Sequence, residues 1–287
     1  MDSFEQPSYF EHHNCRQDTP WSLPEQEPTN LLALWPDRRP PSKTEITAAF
    51  RQWLGERLSG EEELPTPDEE DGDEIAWCHA MRIRGFHAPI VIWAEPVRSL
   101  EPNERRALGA ERCEWLLGLE TVLSCSDPLS NYIELMRLIG ESCVDVPAVL
   151  DVNTTRWHDR QSIDEVFCSK EVEPPAEVLW LVQAVQPDGS NPEVDKHSLW
   201  LHTHGLWRCG APELEMLEVP LEHASSAAEL LNDIAALLIE QSPPSSSERF
   251  EIGTDLFVSL LPWQSVVNCL PHGVPGGLAD RKGEHKD

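Results

Sequence analysis

The apolar residues of this chain come in short runs separated by turn formers, and that pattern limits the fold more than any other feature. The longest runs, residues 178–182 and 256–262, fall far below the roughly 20 apolar residues that a helix needs to cross a bilayer. From residue 75 onward each half of the chain reads strand, strand, strand, helix, strand. Sheets covered by helices are the natural solution for that order. The expected class is α+β: two small domains, each a mainly antiparallel sheet with helices on one face.

Local signals place the elements. Residues 31–35 (Leu-Leu-Ala-Leu-Trp) form a strand closed by Pro36 and the run that ends at Pro41. Ser42 with Glu45 three residues later has the spacing of a capping box, and Ile46, Ala49, Phe50 and Trp53 follow at helical period. Residues 75–83 and 90–93 suggest a hairpin around Gly85, and 115–123 offers either a third strand or a helix. Asp127 followed by Pro128 starts a helix whose apolar face is Leu129, Ile133, Met136 and Ile139. Residues 148–150 are a short strand and 161–167 a helical turn. In the second half, 178–185, 199–204 and 214–219 read as strands. Ser226 with Glu229 repeats the box ahead of Leu230, Ile234, Leu237 and Leu238, and 250–261 returns to strand.

These signals divide the chain into a disordered arm (1–28), an N-terminal domain (29–152), a linker (153–177), a C-terminal domain (178–270) and a disordered tail (271–287). Between Glu61 and Glu74 nine of fourteen residues are acidic, so 61–74 is expected to be a long loop that cannot pack. Calcium is a poor fit to it, because the alternating oxygen ligands and central glycine of an EF-hand loop are missing.

Charge narrows the function. The 287 residues hold 22 Lys and Arg against 51 Asp and Glu, a net charge of −29. Such a surface repels phosphate backbones and anionic lipid, so neither nucleic acid nor membrane is expected as a partner. It keeps the protein dispersed and suits association with a basic protein. The N-terminus has neither a basic region nor an apolar core of a secretory signal, and the eight cysteines are spread singly. Free thiols and a cytoplasmic location follow as expectations.

Most catalytic signatures are missing: there is no phosphate-binding Gly-rich loop and no Gly-x-Ser-x-Gly. Cys78 and His79 are neighbours in a strand and point to opposite faces, which rules out a dyad. Trp77, Trp93, Trp115, Trp180 and Trp200 fall within expected strands, where large rings pack as core.

One segment has chemical character: Leu199-Trp200-Leu201-His202-Thr203-His204-Gly205-Leu206-Trp207-Arg208-Cys209-Gly210-Ala211-Pro212-Glu213-Leu214-Glu215. His-Thr-His-Gly-Leu, then Arg208, then Gly210-Ala211-Pro212-Glu213-Leu214-Glu215 resembles an uncharacterised bacterial family, a domain of unknown function. The resemblance implies a bacterial origin. The same stretch is similar to the His-x-His-Pro-x6-Ser-x2-Asp pattern of JAMM metalloproteases. His202 and His204 fit the pair and Glu215 stands in the Asp position, while Gly205 and Pro212 depart from it.

On a strand His202 and His204 share a face and can bind zinc through ring nitrogens, with Cys209, Glu213 or Glu215 as the third ligand. Alternatively, the histidines hold the following turn by bonding backbone groups. The favoured reading has no cofactor and no catalysis: an acidic interaction protein of the bacterial cytoplasm with a basic protein partner. The alternative is a metal-dependent hydrolase centred on the His202–Glu215 segment.

Overall fold

The computed structural model describes residues 26–65, 75–98, 100–169, 171, 173–185, 198–240, 249–252 and 256–261. The described residues divide into two compact units, one of those within 26–181 with 205–210, the other of those within 182–204 and from 211 to 261.

The first unit is built on a seven-stranded sheet of β1 (Thr29–Trp35), β2 (Leu58–Leu64), β3 (Trp77–Ile83), β4 (Ile90–Pro96), β5 (Trp115–Thr121), β6 (Ala148–Asp151) and β7 (Arg156–Asp159). Their order is β2-β3-β4-β5-β1-β6-β7, with every neighbouring pair antiparallel. β1 lies between β5 and β6 because Leu31, Ala33 and Leu34 are all fully buried, which an edge position would not allow.

Register sets the core rows. Ile92, Leu119, Leu31 and Asp151 pair in turn across four strands, and so do Ala94, Leu117, Ala33, Val149 and His158. Each row is apolar until its last member, so Asp151 and His158 are carried into the core by their strands.

Helices α1 (Lys43–Leu54) and α3 (Pro128–Ser142) pack together, and Tyr132 of α3 hydrogen-bonds Asp151 on the row's face. Both helices begin at the capping residues legible in the sequence. The Ser42 hydroxyl accepts from the Glu45 amide, and the Asp127 carboxylate accepts from the Ser130 amide. A short helix α2 (Pro102–Ala107) belongs to the 97–113 segment, whose Val97, Leu100, Leu108, Ala110 and Cys113 pack around Leu34 and Ala148. Leu34 alternates with Ala33 along β1, so this cluster closes the opposite side of the sheet. Gly118 of β5 pairs with Trp93 of β4, and the Trp93 ring lies so close that a Cβ at 118 would meet it at 2.1 Å.

Two expectations are corrected in this unit. Residues 61–64 are not loop but the second half of β2, paired with β3. The carboxylates are accommodated there because Arg51 forks onto Glu61 and Lys43 pairs with Glu63, both cations being presented by α1. The rest of the acidic stretch, 66–74, lies outside the described residues, as do the arm up to residue 25 and the tail from residue 262. The 153–177 segment is not a linker. It contains β7 and a helical stretch (Arg160–Ser162 continuing into Ile163–Cys168), and it buries Ile163 and Phe167 completely. Gly140 of α3 lets that stretch approach: a Cβ there would come within 2.7 Å of both Cys168 and Ile163.

The second unit holds a three-stranded sheet in the order β10-β9-β8, of β8 (Leu181–Val185), β9 (Ser198–His204) and β10 (Glu215–Pro220). The ladder between β9 and β10 is antiparallel and shifts register between Met216 and Val219, where Glu218 adopts φ 55°. Helix α4 (Ala224–Glu240) packs on both strands and buries Leu231, Ile234, Ala235 and Leu238, one stripe at helical spacing. It begins before Ser226, out of a turn at Leu221–His223, so the expected capping residue sits inside the helix. The expected strand at 250–261 is an antiparallel pair, β11 (Arg249–Ile252) with β12 (Leu256–Ser259).

The six described cysteines form no disulfide. No helix among the described residues is long and apolar enough to cross a membrane.

Candidate functional site

The strand pattern of 199–204 puts Trp200, His202 and His204 on one face of β9, and their rings form a ladder. The Trp200 ring stacks on His202 with centroids 4.6 Å apart, and His202 meets His204 edge-on at 4.3 Å. Glu215 of β10 is the cross-strand partner of His202, so it belongs to the same face. His204 Nε2 lies 3.1 Å from the Gln183 amide oxygen on β8. The His202 Nε2 atom is buried and meets no hydrogen-bond partner among the described residues. Burial and the neighbouring His204 push the His202 imidazole down to about 4, and burial also lowers His204.

The opposite face of β9 is engaged differently. Thr203, almost wholly buried, donates its hydroxyl to Glu213 at 2.6 Å and accepts from the Leu214 amide at 2.8 Å. Its own amide bonds the Leu214 carbonyl at 2.9 Å. Thr203, rather than either histidine, therefore ties the returning chain to the strand.

The five residues expected as metal ligands are thus distributed unevenly. His202, His204 and Glu215 share one face of the β9–β10 ladder. Glu213 accepts the Thr203 hydroxyl on the other, and Cys209 is a buried residue of the first unit. No group of three His, Cys, Asp or Glu side chains among the described residues is placed to hold a metal ion.

The segment has a second chemical centre that the ligand reading passed over. Gly205 and Gly210, with φ of 109° and 76°, bracket the turn Leu206–Cys209 in backbone conformations that favour glycine. A Cβ at 205 would also strike the Leu179 carbonyl oxygen at 2.5 Å. The turn carries Arg208 into the core of the first unit, where it is fully buried. Its two terminal nitrogens donate to the two oxygens of Asp151 at 2.9 and 2.8 Å, and Nε donates to the Leu179 carbonyl at 2.8 Å. The guanidinium stands 4.7 Å from the Tyr132 ring centre.

Tyr132 donates its hydroxyl to Asp151 at 2.9 Å, and His158 Nε2 lies 3.4 Å from that hydroxyl. Burial opposes the charge on Arg208, but Asp151 and Tyr132 more than offset it, and the guanidinium stays cationic. Burial, reinforced by Asp151, pushes Tyr132 upward and so keeps it a neutral donor. Burial holds His158 neutral, with its pKa near 4.

Such a closed pair neutralises its own charges and spends its donors on internal acceptors, which suits holding a turn in place rather than reacting. Each member is marked in the sequence, Arg208 as a lone Arg between two glycines and Asp151 as the end of the apolar run Ala148-Val149-Leu150, but their pairing is not.

Residues 182–287 match the model of a family described as the C-terminal part of a protein of unknown function, DUF4026. The Leu199–Glu215 segment, on which a resemblance to a domain of unknown function rests, lies inside the matched residues. No curated protein and no solved structure matches the chain.

Proposed function

We propose that this is a non-catalytic acidic interaction protein, cytoplasmic, whose partner is a basic protein and which uses no cofactor. The observation that carries the reading is that three reactive side chains of the 199–215 segment, those of Thr203, His204 and Arg208, are engaged within their own units. Thr203 serves Glu213 and Leu214, His204 meets Gln183, and Arg208 is consumed by Asp151 and Leu179. Reactive groups held in this way position backbone and do not meet a substrate. The net charge of −29 supplies the attraction for a cationic partner and disfavours nucleic acid and anionic membrane surfaces.

The test is capture of partners from lysate at low and at high salt. Basic proteins retained at low salt and released at high salt are the expected result, since exposed charges are screened over about 8 Å at physiological ionic strength. Retention of acidic partners, or equal retention at both salts, counts against it.

One observation favours a second reading, a metal-dependent hydrolase centred on His202–Glu215. His202 Nε2 is buried without a described partner, beside the His204 ring and across from Glu215. Elemental analysis of untagged protein separates the two readings. The favoured one expects no stoichiometric zinc and unchanged melting with chelator. Zinc present in the wild type and lost in the His202→Ala/His204→Ala double variant would establish the second.

A further inference from the structure

We infer that the outer edge of β2 is the docking strand for the basic partner, which adds an extended Lys- or Arg-bearing segment to the seven-stranded sheet. This inference rests on the reading of the protein as an acidic interaction module. β2 is a terminal strand, and no described residue pairs with its outer side. The Glu61 side chain is only 20% exposed, yet the residue as a whole is solvent-exposed, so it is the main chain that water reaches. A backbone edge left open in this way offers its N–H and C=O groups to another strand.

Two other sheet edges, those of β7 and β10, suit the role less well. β7 spans only Arg156–Asp159 and leads directly into a helical stretch. β10 is broken in mid-strand by the irregularity between Met216 and Val219, a device that turns an edge away from pairing. In β2 the irregularity lies at its start, between Leu58 and Gly60, and Gly60 to Leu64 pair regularly with β3.

Charge selects the occupant. Glu61 and Glu63 point to the face where Arg51 and Lys43 meet them, whereas Glu62 is exposed on the other face and has no ion pair among the described residues. A second copy of the chain would bring three glutamates against three, which is destabilising in directly opposed pairs. A strand with a cation opposite Glu62 replaces that repulsion with attraction. The chain's net charge of −29 favours approach of a cationic strand from a distance.

The experiment uses the full chain and two synthetic peptides, Lys-Thr-Lys-Val-Lys-Thr-Lys and the same sequence with alternate backbone amides N-methylated. Affinity is read by titration, and the docking place by hydrogen exchange. Expected are slower exchange of backbone amides across 58–64 on adding the first peptide and about tenfold weaker binding of the methylated one. Glu62→Lys should weaken binding several-fold more than Glu111→Lys, an exposed charge reversal elsewhere in the same unit, with both variants melting like the wild type. Equal binding of the two peptides, or protection outside 58–64, overturns the edge assignment and leaves the basic-partner reading standing. If neither peptide binds at low salt, the basic-partner reading falls and this inference with it.

Discussion

Replacing Arg208 by Met removes a fully buried cation and leaves Asp151 in the core with only neutral donors, the Tyr132 hydroxyl and the Asn153 amide, to serve it. The guanidinium makes two charge-assisted bonds to Asp151, two to the Leu179 carbonyl, a long one to the Val178 carbonyl and a face contact with Tyr132. Each bond to a charged partner contributes about 1.5–3 kcal/mol, and the ring contact up to about 2 kcal/mol when desolvated. The burial cost of the charge, which disappears with it, cancels part of that sum. Truncating one member of a buried pair costs about 3–5 kcal/mol, because the partner is left uncompensated. At about 2–4 °C per kcal/mol, the unit that holds the pair should melt about 6–20 °C lower.

The companion is Arg208→Met with Asp151→Leu, which removes both charges. It should recover at least about 2 kcal/mol relative to the sum of the two single variants, since buried pairs are often replaceable by apolar groups. Urea titrations followed by circular dichroism measure all three variants. A loss below about 1 kcal/mol in Arg208→Met, or strictly additive losses, would refute the account of Arg208 as a neutralised anchor.

Two further predictions test other parts of the fold. His158 and His202 stay neutral in the fold down to about pH 4, against an ordinary value of 6.5. The unfolded chain therefore binds more protons between those values, and stability should fall as pH drops from 6.5 to 4, by up to about 1.4 kcal/mol per unit for each histidine, levelling below 4. Urea midpoints at several pH values check this, and His202→Gln should remove its share of the slope. An unchanged slope would show that His202 is not held neutral by burial. Gly118→Ala drives a methyl into the Trp93 ring, at 2.1 Å before relaxation, so the ring must leave its place. The expected cost is about 1–3 kcal/mol with a red shift of tryptophan emission, and native-like emission at full stability would contradict the packing described.

What was legible from the residues was what short-range physics dictates. Ser42, Asp127 and Pro128 mark helix starts because a cap acts within one turn of the chain. The β3–β4 hairpin and the His-Thr-His strand follow from period-two patterning, which also places His202 and His204 on one face.

Tertiary structure decided the rest. β2 and β7 escaped notice because a run of glutamates and the polar stretch Arg-Trp-His-Asp have no apolar alternation, and only α1's cations and the neighbouring strands make them strands. The pairing of Arg208 with Asp151, 57 residues apart, is likewise invisible to any local window. Two charges become one neutral group only when separate segments meet in a place without water, and which segments meet is a property of the folded sheet rather than of either sequence run.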